Sequence, residues 1–293
     1  MTRSGFVALA GRPNVGKSTL VNAVVGDKVA IVSDRPQTTR RAIRGVRSDG
    51  DSQLVLVDLP GVQRPRDPLT ARMAGRVQQE LAEADVALLV LNGEQGIGPG
   101  DRFIATTLAQ AAVPVTIAVN KVDRLSRAAT ATALASAAAL EVAEELFPVS
   151  ARTGSGVGEL VKHLATRMPE GPFLFEERAI SDQPEAVLLA ELVREAVIRR
   201  TFQEIPHAVE VIVEDVERPR PGLTRVRALI WVETASQKGI VIGAHGRMIK
   251  AIGTAARREL ERALGEQVHL DLSVRVRRDW RADDGLLDRL GIT

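Results

Sequence analysis

The first half of the chain alternates short, almost uninterrupted apolar runs with longer segments of helical pattern, and this alternation restricts the fold more than any other feature. Five runs have strand length and little polar character: Phe6–Ala10, Leu54–Val57, Val86–Leu91, Val115–Val119 and Leu146–Val149. Strands buried on both faces have this composition, which is typical of parallel sheets covered by helices. The sequence therefore predicts a three-layer α/β domain with a mainly parallel sheet.

The segments between these runs are predicted as helices, with one weaker strand at an edge of the sheet. We expect the helices at Ser18–Val25, Leu69–Ala82, Asp101–Ala111, Ala128–Glu145 and Gly158–Met168, and the edge strand at Ile43–Arg47. Closely spaced Pro and Gly interrupt this pattern after residue 168. We therefore expect a first domain over residues 1–170, a linker over residues 171–184 and a second domain over residues 185–293.

The second domain is predicted as a smaller α+β domain with a basic surface. Its expected elements follow the order helix, strand, strand, helix, helix, strand: Glu185–Phe202, Ala208–Glu217, Arg225–Thr234, a short turn of helix, Met248–Leu264 and Val268–Val276. Residues 218–281 contain 14 Lys and Arg against 6 Asp and Glu, although the whole chain has a net charge of only +2. This local charge favours an anionic partner, with a solvated Arg-rich face as the alternative.

Composition excludes several kinds of chemistry. The chain has no Cys, which excludes disulfides, thiolate catalysis and Cys-ligated metal sites. No apolar run approaches the roughly 18 residues of a membrane span, and the first predicted strand leaves no room for a signal peptide. We therefore expect a cytoplasmic protein.

A glycine-rich loop with the sequence GRPNVGKS occupies residues 11–18, between a predicted strand and a predicted helix. That context is the one a phosphate-binding loop requires, because its amides and the helix N-terminus then face the phosphates. Lys17 is expected to reach the β- and γ-phosphates, and Ser18 to ligate Mg²⁺. The expected nucleotide-binding residues here are Gly11, Arg12, Pro13, Asn14, Val15, Gly16, Lys17, Ser18 and Thr19.

A second motif, DLPG, follows the buried strand that ends at Val57. We expect Asp58 to hold Mg²⁺ through a water and the Gly61 amide to contact the γ-phosphate. Residues 36–40 form a polar, loop-like segment, in which Thr39 is a candidate third magnesium ligand that orders the loop when GTP binds. A Thr-rich surface turn is the alternative. The predicted nucleotide contacts are Asp58, Leu59, Pro60, Gly61 and Val62, and the predicted catalytic residues are Lys17, Thr39 and Gly61.

The third motif selects the base. The sequence NKVD at residues 120–123 ends another buried strand. The Asp123 carboxylate can accept from two adjacent guanine donors, whereas adenine would leave it underpaired. The expected base-binding residues are Asn120, Lys121, Val122, Asp123, Ser150 and Ala151. The sequence thus predicts a site for GTP rather than ATP.

A Gly-x-x-Gly turn lies in the basic domain, at the start of a predicted helix. Such a turn lets a nucleic-acid backbone approach closely, and this element order around it is typical of a KH domain. The expected RNA-binding residues are Gly243, Ala244, His245, Gly246, Arg247 and Lys250, beside an apolar floor of Ile240, Ile242, Ile249 and Ile252.

Together these motifs, with the segment WRADD near the C-terminus, resemble the Era family of bacterial GTPases, which carry a C-terminal KH domain of type II. The resemblance implies slow, Mg²⁺-dependent hydrolysis of GTP to GDP, binding near the 3′ end of small-subunit ribosomal RNA, and a role in maturing the 30S subunit. It further implies a monomer that associates peripherally with the inner face of the cell membrane. Val62 fits the family's lack of a catalytic Gln, and Asn14 lies where potassium-stimulated relatives place a K⁺ ligand. Ala244 and His245 depart from the more usual polar or basic pair.

Two other functions fit the sequence. In one, the chain is a signalling or cell-cycle switch whose basic domain binds a protein or lipid. In the other, it is a constitutive RNA-binding assembly factor whose nucleotide is hardly turned over. RNA affinity that differs between the GTP and GDP forms would indicate a GTP-controlled RNA-binding switch rather than this constitutive assembly factor.

Overall fold

The computed structural model describes residues 1–32, 39–61, 67–111, 113–143, 145–202 and 205–292. These form two compact units: Met1–Ala30 with Thr39–Asp182, and Gln183–Ile292 together with residues 31 and 32. Residues 36–38 of the predicted switch segment, and Val62, lie outside the described residues.

The first unit is built on a mainly parallel sheet. Its strands in the described residues are β1 (Arg3–Ala10), β2 (Ile43–Asp49), β3 (Ser52–Asp58), β4 (Val86–Asn92), β5 (Val115–Asn120) and β6 (Glu145–Pro148). They lie in the order β2-β3-β1-β4-β5-β6, with β2 antiparallel to β3 and the other neighbours parallel. The predicted α/β architecture and the edge position of the weak strand are confirmed.

Helices cover both faces of this sheet. They are α1 (Lys17–Val25), α2 (Pro68–Glu83), α3 (Pro99–Gln110), α4 (Arg127–Ala138) and α5 (Val157–Arg167). One core packs α1 and α5 against the sheet, and a second core packs α2 and α3 against the opposite face. Because both faces are buried, the central strands have almost no exposed positions, which explains their uninterrupted apolar sequences.

The prediction of a helix over Ala128–Glu145 is wrong at its C-terminal end. Helix α4 stops at Ala138, and Glu141 adopts a left-handed φ of +54°. Glu145 already pairs with Thr116 of β5. Tertiary strand pairing therefore overrides the local helical propensity of this Ala-rich segment.

The segment expected as a linker packs on the first unit as far as Asp182. The fully buried Gln53 accepts the amides of Leu174 at 2.8 Å and Phe175 at 2.9 Å, and its Nε2 donates to the Phe175 carbonyl at 3.0 Å. Farther along, Ser181 Oγ donates to the Arg44 carbonyl at 2.7 Å, beside the edge strand β2.

The second unit is an α+β fold. Its elements are α6 (Glu185–Ile198), α7 (Ile205–Ala208), β7 (Glu210–Arg220), β8 (Leu223–Val232), α8 (Ala235–Ile242), α9 (Arg247–Leu264), β9 (Gln267–Val276) and α10 (Asp284–Arg289). Among these, β8 is the central strand, antiparallel to β7 and parallel to β9. The predicted element order is confirmed, although the first helix ends at Ile198 rather than Phe202.

The C-terminal end of the second unit is anchored by Trp280. This side chain is fully buried, and its indole N–H donates to the Ala208 carbonyl at 3.0 Å. Helix α10, which the sequence analysis did not predict, buries Leu286 and Leu287 beyond it.

Candidate nucleotide site and nucleic-acid interface

The phosphate-binding loop connects β1 to α1 and is tightly enclosed. Gly16 caps α1 with a left-handed φ of +101°, and a Cβ there would lie 2.3 Å from Nδ2 of Asn120. A Cβ at Gly11 would lie 2.6 Å from the carbonyl oxygen of Val90. Only glycine fits these two positions, because strands β4 and β5 approach the loop so closely.

Lys17 is buried at the start of α1. Its Nζ donates to the carbonyl oxygens of Gly11 at 3.1 Å and Arg12 at 3.3 Å. Burial lowers the pKa of Lys17, while the nearby charge of Asp58 raises it. A desolvated ammonium group of this kind gains strongly from an anion such as a nucleotide phosphate.

Ser18, Thr39 and Asp58, the three predicted magnesium ligands, lie together. Ser18 Oγ donates to Asp58 Oδ2 at 2.5 Å, Thr39 Oγ1 donates to the same oxygen at 3.2 Å, and the two hydroxyl oxygens are 3.2 Å apart. Burial raises the pKa of Asp58, whereas Lys17 and the two hydroxyl donors lower it.

The second carboxylate oxygen of Asp58 supports a metal site. Asp58 Oδ1 is buried and has no hydrogen-bond partner among the described residues. A buried acceptor without a donor is costly, and two hydroxyls beside a carboxylate form the oxygen-rich ligand set that Mg²⁺ prefers. These residues therefore fit the predicted ion.

Gly61 brings the DLPG turn against the phosphate-binding loop. A Cβ at Gly61 would lie 2.9 Å from Cγ of Pro13. The adjacent Leu59 is fully buried in the core beneath. The predicted γ-phosphate contact and the phosphate-binding loop thus meet at the carboxyl ends of β1 and β3, where open α/β sheets bind ligands.

Asn120 ties the base-binding motif to the phosphate-binding loop. Its Nδ2 donates to the Val15 carbonyl at 2.9 Å, and its Oδ1 accepts the amides of Lys121 at 2.8 Å and Ala151 at 3.0 Å. Lys121 Nζ in turn donates to the Asn14 carbonyl at 2.9 Å. Asn120 therefore positions three segments of the site at once.

Asp123 is an exposed carboxylate beside the buried Ser150. Its Oδ1 accepts a hydrogen bond from Ser150 Oγ at 2.7 Å, and this bond is the main reason that the pKa of Asp123 is lowered. The carboxylate is thus ionised at neutral pH, as recognition of two guanine N–H donors requires.

The Gly-x-x-Gly turn joins α8 to α9 in the second unit. Gly243 and Gly246 have left-handed φ values of +70° and +73°, and a Cβ at Gly243 would lie 2.7 Å from Cβ of Met248. Gly246 caps α9 without a side-chain hydrogen bond to the first helical amides. The turn therefore presents the amides and positive end of an 18-residue helix.

Four exposed side chains surround this turn: Ala244, His245, Arg247 and Lys250. Arg247 Nε donates to the Ala244 carbonyl at 3.3 Å, which holds its guanidinium beside the turn. Of the expected apolar floor, Ile240 is 44% exposed, whereas Ile252 is fully buried in the core of the unit. Ile252 is therefore a core residue, and its inclusion in the floor was wrong.

Sequence reasoning missed one buried partner of the nucleotide site. Asp101, in the first turn of α3, is fully buried and binds the side chain of Arg12. The two residues are 89 positions apart, and no local sequence signal connects them.

This fold and site define a P-loop GTPase that carries a KH-type domain. Residues 6–121 match the family described as 50S ribosome-binding GTPase, and residues 204–281 match the KH domain family. The chain is 44% identical to GTPase Era of Carboxydothermus hydrogenoformans, over 99% of this chain and 98% of that one. It is 45% identical to GTPase Era of Mycobacterium tuberculosis, over 98% of each chain.

Two solved structures are similar to this chain in fold, and each comparison covers all of this chain and all of the other. Era in complex with MgGDPNP and nucleotides 1506–1542 of 16S ribosomal RNA has a TM-score of 0.95 and 34% identity. A variant of Aquifex aeolicus Era bound to GDP·AlF4⁻ has a TM-score of 0.94 and 34% identity. The chain belongs to the Era family of GTPases.

Proposed function

We propose that this GTPase binds small-subunit ribosomal RNA near its 3′ end and assists assembly of the 30S subunit. The observation that carries the proposal is the Gly-x-x-Gly turn, whose uncapped helix start lies beside Arg247 and Lys250. The turn lies within residues 218–281, which contain 14 Lys and Arg against 6 Asp and Glu. A KH turn of this kind holds about four nucleotides of single-stranded RNA by their backbone. The similar Era chain bound to nucleotides 1506–1542 of 16S ribosomal RNA supports the choice of RNA.

We propose the following roles in GTP hydrolysis. Lys17 binds the β- and γ-phosphates, Asp58 accepts from the hydroxyls that flank the magnesium position, and the Gly61 amide contacts the γ-phosphate. When bound, Mg²⁺ neutralises charge on the phosphates, and Ser18 and Thr39 would hold it with Asp58. Val62 has no polar side-chain atom to orient water, so backbone groups would hold the attacking water.

We also propose that K⁺ stimulates hydrolysis through Asn14. This residue has a left-handed φ of +64°, and its carbonyl accepts from Lys121 Nζ. Replacing K⁺ by Na⁺ at equal ionic strength should lower the hydrolysis rate, and Asn14→Ala should reduce the difference between the two salts. Equal rates in the two salts would exclude the proposal.

Crosslinking in cells followed by sequencing of the bound RNA tests the RNA assignment. The variant is Gly246→Asp, because Gly246 has open space around it and an added carboxylate would face the RNA phosphates. The matched control is Gly265→Asp, at the other end of α9, where φ is +68° and the space is also open. We expect the wild type and the control to enrich the 3′ end of 16S ribosomal RNA, and Gly246→Asp to lose it.

No enriched RNA in the wild type would instead favour the signalling alternative, in which the basic domain binds a protein or lipid. Within the described residues, none of the helices combines the length and the apolar character needed to cross a membrane. Peripheral membrane association and a monomeric state stay predictions, which vesicle flotation and analytical sedimentation would test.

A further inference from the structure

The second residue of the phosphate-binding loop uses its side chain outside the loop. Arg12 Nε donates to Asp101 Oδ1 at 2.8 Å. The Arg12 side chain is 28% exposed, whereas the Asp101 side chain is completely buried. A buried carboxylate depends strongly on its partner, so this ion pair is a fixed feature rather than a loose surface contact.

The surroundings of the pair are shaped to hold the arginine. A Cβ at Gly100 would lie 2.8 Å from Cδ of Arg12, so glycine at this position leaves space for the arginine stem. Asp101 Oδ2 accepts the Gly98 amide at 2.9 Å, which caps α3. One oxygen of the Asp101 carboxylate therefore caps α3, and the other binds the Arg12 side chain.

Holding Arg12 also restrains the peptide groups that position Lys17. The carbonyl oxygens of Gly11 and Arg12 both accept from Lys17 Nζ. We infer that Asp101 is a positioning residue of the GTPase, which acts through Arg12 to fix the phosphate-binding loop and so slows nucleotide release. Arg12 then contributes to the site through its backbone, and its guanidinium belongs to the Asp101 contact.

The test compares GDP dissociation from the full-length protein, measured with a fluorescent GDP analogue, and KM and kcat for GTP. The variants are Arg12→Gln, Asp101→Asn and the double variant. Arg12→Gln leaves the α3 cap intact, whereas the single acceptor oxygen of Asn cannot serve both Gly98 and Arg12. We expect each single variant to raise the dissociation rate about tenfold, with KM rising more than kcat falls.

The double variant should release GDP no faster than either single variant, because both substitutions break one contact. It also leaves no unpaired charge at the Arg12–Asp101 contact, so it tests the inference if a single variant fails to fold. The control is Glu159→Gln, which breaks the exposed ion pair with Lys162 on α5 and should leave the rate unchanged.

Three results would overturn the inference. Faster release from Arg12→Gln but not from Asp101→Asn would mean that Arg12 acts on the nucleotide directly. Additive effects in the double variant would mean that the two residues act independently. Wild-type rates in folded variants, with only a lower melting temperature, would leave Asp101 as a helix cap alone.

Discussion

At the scale of single residues, the nucleotide site keeps two opposite charges out of water. Burial lowers the pKa of Lys17 and raises the pKa of Asp58, so both shifts favour the neutral forms, and each charge counters the shift of the other. Phosphate oxygens and a divalent cation supply the counter-charges that solvent does not provide here. We therefore expect bound nucleotide and metal to raise the free energy of unfolding of the first unit, in addition to their part in GTP hydrolysis.

We expect the base preference to depend on one carboxylate, that of Asp123. Asp123→Asn should weaken GTP binding about 100-fold or more, because an amide offers one acceptor and one donor where guanine presents two donors. The same variant should gain affinity for xanthosine triphosphate, whose 2-carbonyl can accept from the amide. Competition binding with both nucleotides measures the change, and an unaltered preference for GTP would contradict the assignment of Asp123 to the base.

His163 predicts a pH dependence of stability in the first unit. Burial lowers its pKa in the folded state, and its Nε2 lies 3.2 Å from Thr116 Oγ1. The unfolded chain therefore binds a proton more readily than the folded one, so the free energy of unfolding should fall as pH drops below about 6.5. Urea unfolding between pH 7 and 5 measures this fall.

The matched comparison for that measurement is between two histidines. His163→Gln should make the decline smaller, whereas His245→Gln, on the exposed turn before α9, should leave it as in the wild type. An equal decline in all three proteins would place the responsible group elsewhere.

At the scale of elements, sequence predicted best where the determinants are local. The loop at residues 11–18, the DLPG turn and the NKVD motif each combine a strand end with residues a few positions away, so spacing alone indicated their geometry. The end of α4 and the packing of residues 171–182 depend on partners far along the chain, such as β5 and Gln53. Local propensity contains no information about those partners.

We expect Gln53 to contribute more to the free energy of unfolding than its exposed neighbours do. Gln53→Leu keeps the approximate volume but leaves the amides of Leu174 and Phe175 without their acceptor. We expect a loss of about 2–4 kcal/mol in the free energy of unfolding, the cost of leaving buried polar groups unpaired. Urea unfolding measures this loss, and limited proteolysis should show earlier cleavage within residues 171–182.

The control is Ser52→Ala in the same strand, which removes an exposed hydrogen bond to the Asp49 carbonyl and should cost less than about 0.5 kcal/mol. Equal stability of Gln53→Leu and the wild type would mean that the segment is held by other contacts.

At the scale of the whole molecule, charge is distributed unevenly along the chain. The excess of Lys and Arg in residues 218–281 contrasts with a net charge of +2 for all 293 residues. RNA binding through the second unit should therefore weaken steeply with salt, while GTP binding in the first unit depends on local contacts. Fluorescence anisotropy with an oligonucleotide of the 16S 3′ end measures the RNA dependence.

Each phosphate contact should account for part of that slope. Arg247→Ala and Lys250→Ala should each make the plot of log affinity against log salt shallower by about 0.7 for single-stranded RNA. Arg102→Ala, an exposed substitution on α3, is the control and should leave the slope unchanged. Parallel plots for all variants would remove these two residues from the RNA contact.

RNA affinity in the GTP and GDP forms separates a switch from a constitutive binder. If the nucleotide changes RNA affinity by a given factor, RNA must change nucleotide affinity by the same factor. We expect the two forms to differ at least fivefold, since coupling free energies are typically about 1–3 kcal/mol. Identical affinities would favour the constitutive assembly factor.

The hydrogen bonds between Gln53 and residues 174–175 also order events during synthesis of the chain. Gln53 and Phe175 are 122 positions apart, and translation adds about 5–20 residues per second, so the partner of Gln53 is made roughly 6–24 s later. Throughout that interval the Gln53 amide of the nascent first unit lacks its partners at residues 174–175 and keeps, within the described residues, only the hydrogen bond from its Nε2 to Ser48 Oγ. The edge strand β2 likewise lacks its neighbour at residues 180–181. The first unit of this GTPase therefore finishes folding late in synthesis. Residues 171–182 can pack on it only after its nucleotide-binding motifs have all been synthesised.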